Sequence, residues 1–258
     1  MPPEESSPAN PVVTLRGVGK TFERGTVALD GFDLTVRAGE FVSLLGPSGC
    51  GKSTALRIVA GLSQASAGAV ETTAGHSGGI GFVFQDPTLM PWADVAANVR
   101  LPLDLLQGEA GASRAAVARA LASVGLTEFA ASYPRELSGG MRMRASIARA
   151  LVTGPQLLLM DEPFAALDEI NRFKLNNDLL ALWQDLRRTV IFVTHSVFES
   201  VYLSQRIVVM TSRPGRVFAE IDIPASQPRN EQFRTSADYA GYCRQVADAL
   251  AGAMAVRS

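Results

Sequence analysis

The chain is poor in cysteine, with two in 258 residues, Cys50 and Cys243. Two thiols build neither a disulfide framework nor a thiolate metal site. An excess of one charge is also missing: Lys and Arg number 24 against 25 Asp and Glu, for a net charge of −1. That balance gives no global pull toward DNA, RNA or anionic lipid, so no nucleic-acid partner is expected. No apolar run approaches the ~20 residues a membrane helix needs. The first residues, Met1-Pro-Pro-Glu-Glu-Ser-Ser-Pro8, lack a basic, apolar secretory pattern, and residues 1–11 read as a disordered tail. Internal repeats, heptads and cysteine clusters are absent as well. These absences together predict a cytoplasmic protein that meets a membrane only through a partner. Apolar residues make up 47% of the chain, enough for one large domain or a core with a subdomain.

The densest chemistry lies in Gly46-Pro47-Ser48-Gly49-Cys50-Gly51-Lys52-Ser53-Thr54, which fits G-x-x-x-x-G-K-[ST]. The apolar run Phe41–Leu45 before it reads as a buried strand. Residues 54–60 after it read as a helix, with Gly61 at its stop. Glycines let backbone N–H groups turn onto phosphate oxygens, and the helix start adds its positive end. Lys52 supplies a cation for β- and γ-phosphates, and the Ser53 hydroxyl can ligate Mg²⁺. A glycine turn that holds nothing is the alternative; Lys-Ser in register behind a strand speaks against it. Cys50, near a helix start and Lys52, is expected to favour its thiolate, so that alkylation blocks activity. A small residue tolerated in the loop is the plainer reading.

A second apolar run, Leu157–Met160, ends in Asp161-Glu162. A carboxylate at the end of a buried strand is costly unless it meets a cation. Mg²⁺ is that cation for Asp161, and Glu162 is assigned as the general base for a hydrolytic water. An acidic turn is the alternative, weakened by the Pro163 and Ala166-Leu167-Asp168 that follow.

With these residues in view, the chain resembles the ATP-binding subunit of an ATP-binding-cassette (ABC) transporter over about Val12 to Ile223. Leu137-Ser138-Gly139-Gly140 resembles the family signature, which caps the γ-phosphate of ATP held by another subunit. Gln85 resembles the glutamine that senses Mg²⁺ and water. Asp168 resembles the aspartate linking two sites across a dimer, His195 the histidine on the γ-phosphate, and Phe22 the aromatic stacked on adenine. Phe22 equally fits a core aromatic of an N-terminal strand, and a lone histidine is more often structural. Two departures stand out: Met141 replaces the signature's glutamine, and Phe22 stands where tyrosine is usual.

The resemblance implies an α/β fold: a P-loop NTPase core of mainly parallel sheet flanked by helices, an N-terminal antiparallel β subdomain, and an α-helical subdomain inserted at about 86–150. ATP and Mg²⁺ are the implied cofactors. A homodimer with ATP sandwiched at its interface is implied, together with separate transmembrane permease subunits at the inner face of the cell membrane. The permease would dock near Asp86–Trp92, where Leu89, Met90 and Trp92 are apolar; their burial inside the helical subdomain is the alternative. Leu89-Met-Pro-Trp92, Gly140-Met-Arg142 and Arg213-Pro-Gly215 resemble the nitrate/sulfonate/taurine type of importer, which is served by a periplasmic or tethered substrate-binding protein. Competing classes are a soluble ABC protein acting on ribosomes or DNA, an exporter, and a GTPase or kinase sharing the phosphate loop.

Further elements follow from pattern. Strands are expected at Val12–Arg16, Val27–Val36, Ile80–Phe84, Val190–Thr194, Arg206–Met210 and Val217–Ile223. Thr72–Gly79 reads as a loop with a solvated His76. Ser113 is expected to cap a helix that ends at Gly125. Helices are expected at Arg142–Val152 behind the signature, at Glu169–Leu186, and after Ser196, where Ser196–Glu199 matches a capping box. Residues 224–258 form an extension, helical over Tyr239–Ala251, read as a packing appendage.

Overall fold

The structure is a computed structural model that describes residues 10–75, 78–106, 110–224 and 229–256. Its centre is a six-stranded sheet built from buried apolar runs. These are β3 (Phe41–Leu45), β5 (Ile80–Val83), β6 (Leu157–Asp161), β7 (Thr189–Thr194), β8 (Arg206–Met210) and β9 (Val217–Asp222). Their order is β5-β6-β7-β3-β8-β9; all neighbours are parallel except β8 and β9. Strands buried on both faces read as continuous apolar sequence, and β3, β6, β7 and β8 are buried at every position.

Alternate residues of β3 feed opposite faces. Phe41 and Leu45 join one core cluster with Phe164, Trp183 and Phe192, whereas Val42 and Leu44 join another with Leu56 and Val59. The second cluster lies under α1 (Lys52–Val59) and a three-stranded antiparallel sheet of β1 (Pro11–Thr21), β2 (Val27–Arg37) and β4 (Ala67–Thr72), ordered β2-β1-β4. Phe32, Leu34 and Val36 of β2 are buried, and the residues between them face out, as the alternation predicts.

A third cluster, with Val95, Val99, Leu121 and Leu126, joins α2 (Val95–Leu105), α3 (Ala110–Ser123) and α4 (Gly139–Leu151). This helical stretch begins later than expected, because Asp86–Asp94 is not helical. The α3 helix starts at Ala110, so Ser113 lies inside it, buried, and is not its cap.

The long helix α5 (Glu169–Leu186) and the short α6 (Val197–Leu203) cover the other face of the sheet. The C-terminal segment is not peripheral. Val246 and Ala253 of α8 (Ala237–Ala255) belong to the main core cluster, and Phe233 of α7 (Glu231–Arg234) packs against it. Arg229, just ahead of α7, is buried and donates to the carbonyls of Val201, Tyr202, Ser204 and Ile223 at 2.7–3.0 Å. Burial lowers its guanidinium to about 10. His76 and residues 1–9 of the expected tail lie outside the described residues.

Candidate active site

Parallel strands bring their C-terminal ends together, and ligands of open α/β sheets bind there. Four adjacent strands carry the expected residues at that edge. The phosphate loop follows β3, Gln85 follows β5, Asp161 and Glu162 close β6, and His195 follows β7.

The loop is wedged between neighbours. Gly51 has φ +104, and a Cβ there would lie 2.6 Å from the Ala28 carbonyl oxygen; at Gly46 it would lie 2.9 Å from Cys50 Sγ. Only glycine permits that backbone and that approach. Lys52, the first residue of α1, is buried, and its ammonium donates to the carbonyls of Gly46 at 2.8 Å and Pro47 at 3.0 Å. Its third neighbour is Glu162 Oε1 at 3.5 Å. The other oxygen of Glu162 lies 3.0 Å from His195 Nδ1. Glu162 therefore bridges the lysine of one strand end and the histidine of another. Its φ of +46 is uncommon for a residue with a side chain, and its N–H donates to Val193 O at 3.0 Å. Such a conformation costs on the order of 1–3 kcal/mol and persists where the surroundings impose it.

Ser53 Oγ donates to Asp161 Oδ1 at 2.7 Å. Asp161 is buried, and burial pushes its carboxyl above the usual carboxylate range, against the Ser53 hydroxyl and the charges of Arg57 and Lys52. A buried carboxylate beside a hydroxyl is a hard-oxygen pair of the kind Mg²⁺ takes. Among the described residues no group of three or more His, Cys, Asp or Glu could hold a metal alone. Ser53 and Asp161 make such a pair, and Gln85 lines the same cleft as Ser53.

A cleft of about 370 Å³ opens over this set, lined by Ser48, Gly49, Gly51, Lys52, Ser53, Thr54, Gln85 and Glu162. Phe22 and Thr26 form its wall; Phe22 is 46% exposed, with Lys20 Nζ 5.3 Å from its ring centre, so it is not a core aromatic. Arg213 also lines the cleft and donates to Gly49 O at 3.1–3.2 Å. No loop motif announces that arginine as a neighbour, because strand order alone puts it there.

Cys50 overturns an expectation. It is 1% exposed, and burial raises its thiol, outweighing the nearby Lys52 ammonium that pulls it down. The loop turns this side chain inward, away from solvent.

The signature is not in this cleft. Ser138 caps α4, accepting from Met141 N at 3.3 Å, and Gly139 lies beside Leu167, next to Asp168. Asp168 caps α5; its bonds from Asn171 hold its carboxyl below the usual range. Met141 is half-buried against the helical cluster, so the departure from glutamine puts a packing side chain there.

Two residues that no motif marks brace the segment after Gln85. Arg149 donates to the carbonyls of Pro87 at 2.7 Å and Thr88 at 2.8 Å. Asn98, fully buried, accepts from Met90 N at 2.7 Å and donates to the carbonyls of Met90, Ala93 and Asp94. Leu89 packs against the helical cluster while Trp92 is 77% exposed, so the expected apolar patch divides between core and surface.

An ammonium and a carboxylate facing each other over a glycine loop, with a hydroxyl on a strand-end aspartate, define a phosphate-loop nucleotide hydrolase. The model of the ABC transporter family matches residues 29–165. An aliphatic sulfonates import ATP-binding protein of Pseudomonas savastanoi pv. phaseolicola is 45% identical over 221 residues, 86% of this chain and 90% of that one. An uncharacterized ABC transporter ATP-binding protein of Methanocaldococcus jannaschii is 46% identical over 228 residues, covering 86% and 84%. Among solved structures, a dimeric ATP-binding cassette in a post-hydrolysis state with ADP and Pi is 33% identical, with TM-score 0.72 over 83% of this chain and 100% of that one. A protein of Clostridium perfringens that is part of an ABC transporter complex is 25% identical, with TM-score 0.77 over 92% and 99%. This chain belongs to the ABC transporter family and is an ATPase that hydrolyses ATP for transport. Among the described residues no helix is long and apolar enough to cross a membrane.

Proposed function

We propose that this chain energises import of a small anionic nutrient, an aliphatic sulfonate or a related solute, through separate membrane subunits. The observation that carries the ATPase half is the Lys52–Glu162–His195 bridge at the mouth of the phosphate loop. The importer half rests on relatives near 45% identity whose names specify aliphatic sulfonates.

In the proposed reaction the loop's N–H groups and the Lys52 ammonium hold the β- and γ-phosphates, and Phe22 stacks on adenine. Ser53 and Asp161 would hold Mg²⁺, with Gln85 beside them. That ion, when bound, supplies positive charge against the phosphate oxygens. Glu162 takes a proton from the attacking water as a bond forms to the γ-phosphorus, and the bond to the β-phosphate oxygen breaks to leave ADP and Pi. His195, held on Glu162, orients that carboxylate and meets the γ-phosphate. Ser138, Gly139 and Gly140 of a second copy close the site from the opposite side, with Asp168 at the joint, so the working form is a homodimer with two ATP. One dimeric relative was solved with ADP and Pi, which supports this reading.

The permease subunits would dock beside Gln85. An apolar groove of about 430 Å³, lined by Phe82, Phe84, Leu101, Leu105 and Arg149, adjoins the braced segment, and Trp92 stands exposed close by in sequence. A partner helix seated there would sense any shift of Gln85. A substrate-binding protein delivers the solute on the far side, which places this chain on the cytoplasmic face.

The test is uptake of a labelled aliphatic sulfonate by membranes carrying the whole transporter. Uptake should require ATP and should fail with Glu162→Gln. Trp92→Ala should keep the ATPase rate of the isolated chain within about twofold while weakening assembly with the permease by about tenfold, the loss expected when an aromatic anchor is truncated. Uptake that survives Glu162→Gln would contradict the proposal.

A further inference from the structure

Glu199 is a buried carboxylate with no place in the hydrolytic scheme. It sits in the first turn of α6, four residues after His195. Sequence pattern gives it the second position of a capping box, but only half of that box forms: Ser196 Oγ accepts from Glu199 N at 3.3 Å. The carboxylate itself turns elsewhere. Its Oε2 accepts from Thr194 Oγ1 at 2.5 Å, and that hydroxyl in turn accepts from Ser196 N at 3.0 Å. Both neighbours of His195 are thus tied to one carboxylate.

The other oxygen faces the start of α5. Glu199 Oε1 lies 3.6 Å from Arg172 Nε, and Arg172 Nη2 donates to the Leu167 carbonyl at 3.0 Å. Leu167 precedes Asp168 and lies beside Gly139 of the signature turn. A guanidinium therefore grips the turn ahead of Asp168, a carboxylate grips the turn that carries His195, and the two charges meet inside the protein. Arg172 Nε and Glu199 Oε1 are both buried with no hydrogen bond of their own. Burial raises the Glu199 carboxyl, with Thr194 and Arg172 pulling it back. Buried polar groups left without hydrogen bonds are costly, and a small approach converts this pair into a charge-assisted bond.

We propose that Arg172 and Glu199 are a positioning couple that sets the His195 turn against the Leu167–Asp168 turn, so that the histidine held on Glu162 answers to the segment that would face the second copy. The inference rests on the roles given above to Glu162 and His195. Its consequence is selective. Without the couple, the His195 turn is free to leave Glu162, and turnover falls. Lys52, Ser53 and Gly49 stand on other elements, so nucleotide affinity stays. A pair that merely glued α5 to α6 would lower the melting temperature and leave the rate per folded molecule alone.

The experiment uses the full chain with Arg172→Met, Glu199→Gln and both together, alongside Thr194→Val, which keeps both charges and removes the hydroxyl link. Steady-state kcat and KM, affinity for a fluorescent ATP analogue, melting temperature and the His195 ring resonances are measured. The chain has two histidines, so His76→Gln assigns the signals. Each single variant should lower kcat about tenfold, keep nucleotide affinity within about twofold and shift the His195 signals. The double variant should be no worse than the poorer single one, as coupled residues require. Single variants with wild-type kcat, an unmoved His195 signal, or a double variant whose loss is the product of the two would overturn the proposal. If the Arg172 or Glu199 variants do not fold, Thr194→Val decides by the same readings. Glu162→Gln separates the two levels: hydrolysis surviving in it defeats the reading of the site, whereas an inactive Glu162→Gln beside a fully active Glu199→Gln defeats the couple alone.

Discussion

Two glycine-rich turns in this chain open helices, and they are built differently. The turn ending at Gly51 has its charge partners within the same chain: Lys52 meets two loop carbonyls and Glu162, and Ser53 meets Asp161. The turn at Ser138–Gly140 caps its own helix, and side chains added at Gly139 and Gly140 would meet Leu167 and Leu175, apolar residues of the Asp168 turn and of α5. One turn is finished by its own fold. The other presents backbone N–H groups and a serine hydroxyl at a helix start, a phosphate-binding geometry that lies outside the cleft of the same chain. The proposed completion by a second copy requires that division, because a closed site within one chain would leave such a dimer nothing to add.

The division can be broken from either side. Lys52→Ala should have the largest effect: nucleotide affinity collapses and kcat/KM falls about a hundred- to a thousandfold, the range for losing one preorganised charge donor. Titration with a fluorescent nucleotide and a phosphate-release assay check it, and retained affinity would count against the loop. Ser138→Ala should leave single-chain nucleotide affinity unchanged, lower hydrolysis about tenfold, and cost about 1 kcal/mol of stability through the lost helix cap. Equal loss of affinity in both variants would erase the comparison.

Asp161→Asn sharpens it. The folded-state carboxyl of Asp161 is raised by burial, so ionising it costs stability. That penalty is present above the folded pKa and disappears as pH falls through it. The nucleotide-free variant should therefore melt higher at neutral pH, while losing hydrolysis. The gap between wild type and variant should narrow on acidification. A lower melting point at neutral pH would contradict the burial argument. The smallest effect is expected at Cys50. Its thiol is buried and raised, so alkylation of the folded protein should be slow and bound ATP should add little protection. Fast labelling with loss of activity would show the loop opening to solvent.

Much of this was legible in the sequence, and the failures have physical causes. Strands β3 and β8 and helix α5 lie where their apolar patterns put them, since burial on both faces or a capped long helix writes a strong signal. Strand β4 carries no signal in the sequence. Its residues Ala67–Glu71 are exposed, and it is held by backbone pairing with β1, which leaves no apolar alternation to find. Ser113 misled because a serine ahead of an alanine-rich run resembles a cap even when the helix has already begun. Sequence neighbours alone point to a thiolate at Cys50, but the loop's turn decides which way a side chain points. The roles proposed for Lys52, Ser53, Asp161 and Glu162 follow from order along the chain. Those of Arg149, Asn98 and Arg172 do not, because each acts on a residue that only strand order or helix packing brings near.

The most direct test is the mass of Glu162→Gln in solution with ATP, by light scattering or sedimentation. The account predicts twice the 27.4 kDa of one chain, with one nucleotide per copy, and a return to single-chain mass when Ser138→Arg is added. A single-chain mass for ATP-bound Glu162→Gln, or a dimer indifferent to Ser138→Arg, would contradict it.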